Sequence, residues 1–200
     1  MHGKRLVVLA SGSGTNLQAL LDAADLGGEV VAVVSDKTGA RALDRARERG
    51  VPAAAVALGT DRHAWEAELT QAVARHDPDL VILAGFMRIL SGSFVNRWPV
   101  INVHPSLLPA FPGAHAIDDA LAWGVKLVGV SVHFVDEQVD HGPVVFQEAI
   151  EVLPDDDWHA LEVRVHEVEH RLFPAAVKAL AAGRLVVEGR NVRVLHEAPG

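Results

Sequence analysis

Short, continuous apolar runs alternate along this chain with segments of helical period, and that alternation narrows the fold more than any other feature. Val7-Val8-Leu9, residues 30–34, residues 53–57 and Leu80–Leu83 lack the every-second-residue pattern of a half-exposed strand, and read as strands covered on both faces. Between them, residues 17–24, 40–49 and 63–76 have helical character and end near Gly or Asp-Pro. Such an alternation predicts an α/β fold: a parallel central sheet with right-handed crossovers and helices on both faces.

The second half continues with a strand at 100–104, a proline-rich turn at 105–112, a helix near 117–123, and strands at 127–135 and 144–152. The polar, glycine-containing stretch 135–142 joins the last two strands and is a candidate active-site loop. Asp155 or Asp156 is expected to cap a long final helix. Leu161, Val165, Val168 and Leu172 would form its apolar stripe, and Pro174 is expected to kink or divide it. Residues 184–195 alternate weakly around Gly189, as a small hairpin or edge element would.

Composition then removes whole classes of chemistry. None of the 200 residues is cysteine, which excludes disulfides, thiolate metal sites and a cysteine nucleophile. A formal net charge of -8 opposes general nucleic-acid binding, while leaving room for a local site that holds one phosphate. The first apolar run is broken from Ser11 onward, too early for a signal-peptide core or a membrane span, so a cytoplasmic protein without a membrane partner is expected. The length suits one domain, 1–200.

Four motifs carry possible chemistry. Ser11-Gly12-Ser13-Gly14-Thr15-Asn16 follows the first strand and opens the first helix, where backbone N–H groups and the helix dipole favour an anion. It is not a dinucleotide fingerprint, because Leu17 occupies the third glycine position, and no Gly-Lys-Ser/Thr follows. An ordinary tight strand–helix turn would use the same residues. Asn102 and His104 share one face at the carboxyl end of a strand, where open α/β sheets bind ligands. An amide that donates to an oxyanion beside an imidazole that manages a proton suits acyl transfer to an amine, although a satisfied polar pair at a strand end has the same sequence. Asp140 is a candidate partner that would raise the His104 pKa and orient its ring, or else part of a surface turn. His166-Glu167-Val168-Glu169-His170 matches the zinc-protease pattern. The downstream glycine–histidine extension is missing, Pro174 follows closely, and no third ligand can be nominated, which favours a polar flank and no metal. Glu169 lies beside the apolar stripe, as a cleft-facing acid or a solvated helix-edge charge.

In order and spacing, these motifs resemble the family of folate-dependent formyltransferases that act on phosphoribosylglycinamide in purine synthesis. The resemblance covers most of the chain and implies a Rossmann-like fold with a mostly parallel central sheet flanked by helices on both faces. It is carried by residues 9–16, Ala84-Gly85-Phe86-Met87-Arg88-Ile89-Leu90, Asn102-Val103-His104-Pro105-Ser106-Leu107-Leu108-Pro109, Phe111-Pro112-Gly113, His133-Phe134-Val135-Asp136, Val139-Asp140-His141-Gly142-Pro143 and Glu169-His170. It implies that Asn102, His104 and Asp140 are catalytic, and that Gly14, Thr15, Asn16 and Glu169 bind phosphoribosylglycinamide. It also implies a pocket for 10-formyltetrahydrofolate at Arg62, Met87, Arg88, Ile89, Leu90 and Asn102. The division that follows is a phosphate-binding half, 1–100, and a catalytic and folate-binding half, 101–200, in a monomer or homodimer that requires no metal. A formyltetrahydrofolate hydrolase is the nearest alternative, though such enzymes carry an added N-terminal regulatory domain. Transfer-RNA formyltransferases need an added basic C-terminal domain. A non-catalytic nucleotide-binding module would leave Asn102, His104 and Asp140 unexplained.

Overall fold

A computed structural model of the protein describes residues 3–195. Its first half is a run of β/α units: β1 (Lys4–Leu9), α1 (Thr15–Asp22), β2 (Gly28–Ser35), α2 (Arg41–Glu48), β3 (Ala53–Ala55), α3 (Arg62–Ala74), β4 (Leu80–Leu83), α4 (Gly92–Val95) and β5 (Val100–His104). Then follow α5 (Ala116–Trp123), β6 (Leu127–Phe134), β7 (Val144–Glu151), α6 (Trp158–Ala181) and a hairpin, β8 (Leu185–Glu188) and β9 (Asn191–Val194). No helix among the described residues is long and apolar enough to cross a membrane.

Seven strands form one sheet in the order β3-β2-β1-β4-β5-β6-β7. The expected strands and flanking helices are present, and the sheet is mostly parallel. Its departure lies at one end, where β6 runs antiparallel to β5 and β7 antiparallel to β6. Apolar runs identify burial on both faces but are silent on direction, and the short loop between β6 and β7 permits an antiparallel return without a crossover helix.

The two-sided burial is visible within β1. Leu6 and Val8 enter a core shared with α1, α2, α5 and α6, whereas Val7 and Leu9 enter a second core with Trp65, Leu69 and Val73 of α3 and Phe94 of α4. All four β1 side chains are fully buried, so the run shows no alternation of polarity.

The final helix corrects two expectations. Its N-cap is Asp157, whose carboxylate accepts from the Ala160 N–H at 2.7 Å, while Asp156 instead accepts from the Leu153 N–H in the preceding turn. Pro174 does not divide the helix, which runs from Trp158 to Ala181 with the proline inside it. Pro174 removes one N–H from the ladder, but Phe173, Ala176 and Val177 around it are fully buried, and that packing holds the helix through the missing bond.

Gly129 of β6 leaves no space for a side chain, because an added Cβ would meet the Glu148 carbonyl and lie 2.6 Å from Leu107 Cδ2. Gly129→Ala is expected to destabilise the protein by about 1–3 kcal/mol, the range for overpacking a core. Urea denaturation with an unchanged midpoint would contradict this packing.

Candidate active site

Two polar regions lie along the carboxyl edge of the parallel strands. The first is built on β5 and β6, whose register pairs Asn102 with His133 and His104 with Ser131. His104 and His133 are both buried, at 5% and 1% exposure, a placement that demands hydrogen-bond partners for each ring. His104 Nε2 donates to the Phe111 carbonyl at 2.8 Å, and Nδ1 faces Asp140 Oδ2 at 3.4 Å. His133 Nδ1 donates to the Phe134 carbonyl at 2.8 Å, which leaves Nε2 to accept from Asn102 Nδ2 at 3.2 Å. Asp140 also lies 3.6 Å from His133 Nε2 and accepts the Gly113 N–H at 2.7 Å. Asn102, His104 and Asp140 therefore meet as expected, joined by His133. His133 lay in a quoted motif without a role; the pairing of β5 with β6 could not be deduced from its position alone.

Two of the three non-glycine residues with positive φ among those described lie here, the third being Asp77 between α3 and β4. Phe111 and Asp140 both have φ 49, the left-handed region that non-glycine residues rarely adopt, and both touch His104. The turn that carries Phe111 is tied to the sheet. Ser131 Oγ donates to the Ser106 carbonyl at 2.6 Å and accepts the Leu108 N–H at 3.0 Å, while Gln147 Nε2 donates to the Leu108 carbonyl at 2.8 Å.

Burial draws the His104 pKa below the ordinary histidine value, and the neighbouring His133 acts in the same direction. The Phe111 carbonyl and Asp140 act upward without reversing it. Contrary to the expectation from the sequence, Asp140 does not raise the histidine above its ordinary value; the loss of water around the ring outweighs the carboxylate. For Asp140 itself, burial acts upward but is exceeded by His133 and the Gly113 N–H, so its pKa is lowered and it stays ionised.

A cleft of about 500 Å³ opens over these groups. Met87, Arg88, Ile89 and Leu90 line one wall with Phe86, and Val135, Asp136 and residues 138–140 line the other. Met87, Ile89 and Val139 expose apolar surface at its rim. Arg62 departs from its expected role: it does not line the cleft, and its guanidinium donates to the Ile89 carbonyl from behind. Glu66, one turn along α3, receives the Ser91 N–H and hydroxyl, so α3 braces this wall at both ends. Arg88 lines the cleft while pairing with buried Asp36 at 2.6 Å.

The second region surrounds the start of α1. Gly14 occupies the N-cap at φ 73, and an added Cβ would lie 2.7 Å from the Ala42 Cα, so only glycine fits. No side chain caps this end, and the first turn carries no acid, a combination that keeps its N–H groups available to an anion. Arg45 holds the turn by donating to the Ser13 carbonyl at 2.8 Å. Asn16 Nδ2 donates to Glu169 Oε2 at 2.9 Å, while Asn16 Oδ1 is buried with no partner among the described residues. Glu169 is 5% exposed and sits in the fully buried row Leu161, Val165, Phe173 of α6, rather than beside the stripe as expected. The two regions adjoin through Ser11, whose N–H donates to the Gly85 carbonyl at 3.0 Å and whose hydroxyl accepts the Met87 N–H at 2.9 Å.

His166 and His170 stack face to face, with ring centroids 5.8 Å apart. Among the described residues, no group of three or more His, Asp or Glu is arranged to hold a metal ion.

An open α/β sheet with an anion-ready turn and a buried amide–imidazole–carboxylate set at its carboxyl edge defines a group-transfer enzyme of the Rossmann-like class. The formyl transferase family matches residues 4–177, and the chain belongs to that family. It is 49% identical over 193 residues to a phosphoribosylglycinamide formyltransferase of Mycobacterium tuberculosis, covering 94% of this chain and 89% of the relative. The glycinamide ribonucleotide transformylase 1 structure from Symbiobacterium toebii superposes with a TM-score of 0.93 at 46% identity, covering 98% of this chain and 95% of the other. The human trifunctional purine biosynthetic protein adenosine-3 is 40% identical over 197 residues, which span 95% of this chain and 19% of that protein.

Burial pushes the Glu169 pKa above the ordinary glutamate value, with Asn16 and His166 acting downward and Glu162 upward. A folded-state pKa above the unfolded one favours folding at low pH, and that stability is lost as pH rises through the folded pKa. Glu169→Gln lacks this loss. Its stability relative to the unsubstituted protein should therefore grow between about pH 4 and about pH 7, measured by urea denaturation. A difference that is flat across this window would show that Glu169 does not titrate as a buried acid.

Proposed function

We propose that this chain transfers the formyl group of 10-formyltetrahydrofolate to the glycinamide amine of phosphoribosylglycinamide. The observation that carries the proposal is the meeting of Asn102, His104 and Asp140 on the floor of a cleft with an apolar rim, next to an anion-ready helix start. The similarity to phosphoribosylglycinamide formyltransferases supports the same reaction.

The apolar wall at Met87–Leu90 suits the flat ring of a folate, whose polar edge would meet backbone groups of the cleft. Arg62 keeps a supporting role here, by fixing the Ile89 carbonyl. Gly14, Thr15 and Asn16 receive the phosphate, and Glu169 faces the ribosyl portion with Asn16. Anchoring the substrate at this remote end aims its amine at the formyl carbon.

The amine lone pair attacks that carbon, and the carbonyl electrons move to oxygen. Asn102 donates its amide to the resulting oxyanion, exchanging His133 for the ligand. Nε2 of His104 already donates to Phe111, so Nδ1, beside Asp140, is where the ring takes up a proton. The developing negative charge favours that uptake and offsets the burial that keeps the free imidazole neutral. When the bond from the formyl carbon to the folate nitrogen breaks, that nitrogen gains one proton and the product amide has lost one. His104 and Asp140 need only relay it, and no metal is required.

The deciding experiment follows folate deformylation with purified protein and 10-formyltetrahydrofolate, with and without phosphoribosylglycinamide. Turnover that requires the acceptor is expected; turnover independent of it identifies a hydrolase. Asn102→Ala should lower kcat by about 10²–10³, the usual cost of an oxyanion donor, with an unchanged circular-dichroism spectrum. Near-normal kcat would remove Asn102 from the chemistry.

A further inference from the structure

Asp140 reaches His104 from a loop with little packing of its own. Its backbone is in the left-handed region, and the next segment passes so close to β6 that a Cβ on Gly142 would collide with the Phe134 carbonyl. Residues 137–139 are exposed, and Val139 presents 48% of its surface. A loop of this kind samples several conformations unless it is tied down. Moving the carboxylate by about 1 Å is enough to cost substantial rate in a catalytic arrangement.

Beside the Gly113 N–H on the Asp140 carboxylate and Asn96 on Glu137, a further tie comes from the C-terminal hairpin. The connection between β8 and β9 is two residues long, with Gly189 at φ 62 in the first position, the glycine-first pattern of a tight hairpin. Arg190 therefore stands at the tip, and β9 packs against β7, which brings the tip to the loop. Arg190 Nη2 donates to the His141 carbonyl at 2.8 Å. His141 Nδ1 donates to Asp136 Oδ2 at 2.7 Å, and its Nε2 lies 3.3 Å from Arg190 Nη1 as an acceptor. Asp136 also takes the Gln138 N–H at 2.9 Å, so its two carboxylate oxygens hold both limbs of the loop. The chain of contacts closes a ring around Asp140 without touching it: Arg190 fixes the residue after it, and Asp136 fixes the turn before it. Burial acts upward on the Asp136 pKa but is exceeded by its bonds from His141 and Gln138 and by the charge of Arg190, so Asp136 remains an ionised acceptor.

We propose that Arg190 is a positioning residue for the Asp140 carboxylate, acting through His141 and Asp136. It makes no contact with the reacting atoms. The proposal rests on the formyl-transfer reading, and the assay separates the two: an unsubstituted protein without acceptor-dependent turnover refutes the reading, whereas an active protein whose Arg190 variants are unaffected refutes this inference alone.

The experiment is steady-state kinetics on the full chain. Arg190→Ala should reduce kcat about threefold to thirtyfold, with KM for phosphoribosylglycinamide within about twofold, because its anchor lies in the separate α1–α6 region. Arg190→Lys, which keeps one donor to the His141 carbonyl, should recover part of the loss. Arg193→Ala serves as the control, since among the described residues Arg193 pairs at the surface of the same hairpin, with Glu188 at 2.8 Å. Its kcat should match that of the unsubstituted protein. A double-mutant cycle closes the test: the losses in His141→Ala and Arg190→Ala should be less than additive, because the His141 ring that holds Asp136 also meets the Arg190 guanidinium. Unchanged kcat in Arg190→Ala, equal losses in Arg190→Ala and Arg193→Ala, or additive effects of Arg190 and His141 would each overturn the proposal.

Discussion

A buried imidazole between two oxygen acceptors sets the demands that the rest of this structure meets. His104 has the Phe111 carbonyl on one nitrogen and the Asp140 carboxylate near the other. Placing those acceptors requires left-handed backbone at both Phe111 and Asp140, each costing about 1–2 kcal/mol. Neither loop could hold such a conformation by itself. The Phe111 turn leans on Ser131 and Gln147, which belong to the two antiparallel strands, and the Asp140 carboxylate is held by the Gly113 N–H from that same turn. The strain around His104 is therefore balanced by hydrogen bonds that originate in β6 and β7.

This dependence explains why the sheet changes direction at β5. A parallel strand in the place of β6 would arrive from the opposite end and carry its carboxyl-terminal residues to the ligand edge. The antiparallel β6 instead places His133 and Ser131 opposite Asn102 and His104 in direct register. The same reversal lets the chain re-enter β7 through a short loop, and that loop is where Asp140 lies. Catalytic geometry and strand direction are thus two aspects of one topological choice.

Much of this was legible in the sequence for simple reasons. Strands buried on both faces leave apolar runs, so β4 and β5 are marked to the residue, and Gly14 advertises a turn that only glycine can make. Other features depend on pairings that no local pattern records. The row of α6 that faces the core is Leu161, Val165, Glu169 and Phe173. An acid in an apolar row reads as its edge until Asn16, 153 residues earlier, is seen to donate to it. Arg62 is one turn of α3 away from Glu66, and only the path of residues 87–91 shows that both hold the cleft wall from outside. Three consecutive aspartates at 155–157 made the cap ambiguous, and geometry gave the role to the last. Desolvation is equally invisible: the sequence supplies Asp140 as a neighbour of His104 but not the burial that outweighs it.

The lowered His104 pKa fits the proton count of formyl transfer. The reaction moves one proton from amine to folate nitrogen and leaves none over. A histidine held cationic by a strong salt bridge would begin the cycle with its proton already committed to Asp140. It would also stand ready to protonate the incoming amine, which must arrive neutral to attack. A neutral ring whose Nδ1 lone pair faces an ionised carboxylate is the opposite arrangement: unfavourable at rest, and relieved by a proton. In the proposed reaction, the lone-pair contact and burial together would let His104 accept a proton when negative charge appears beside it, and surrender the proton when that charge collapses.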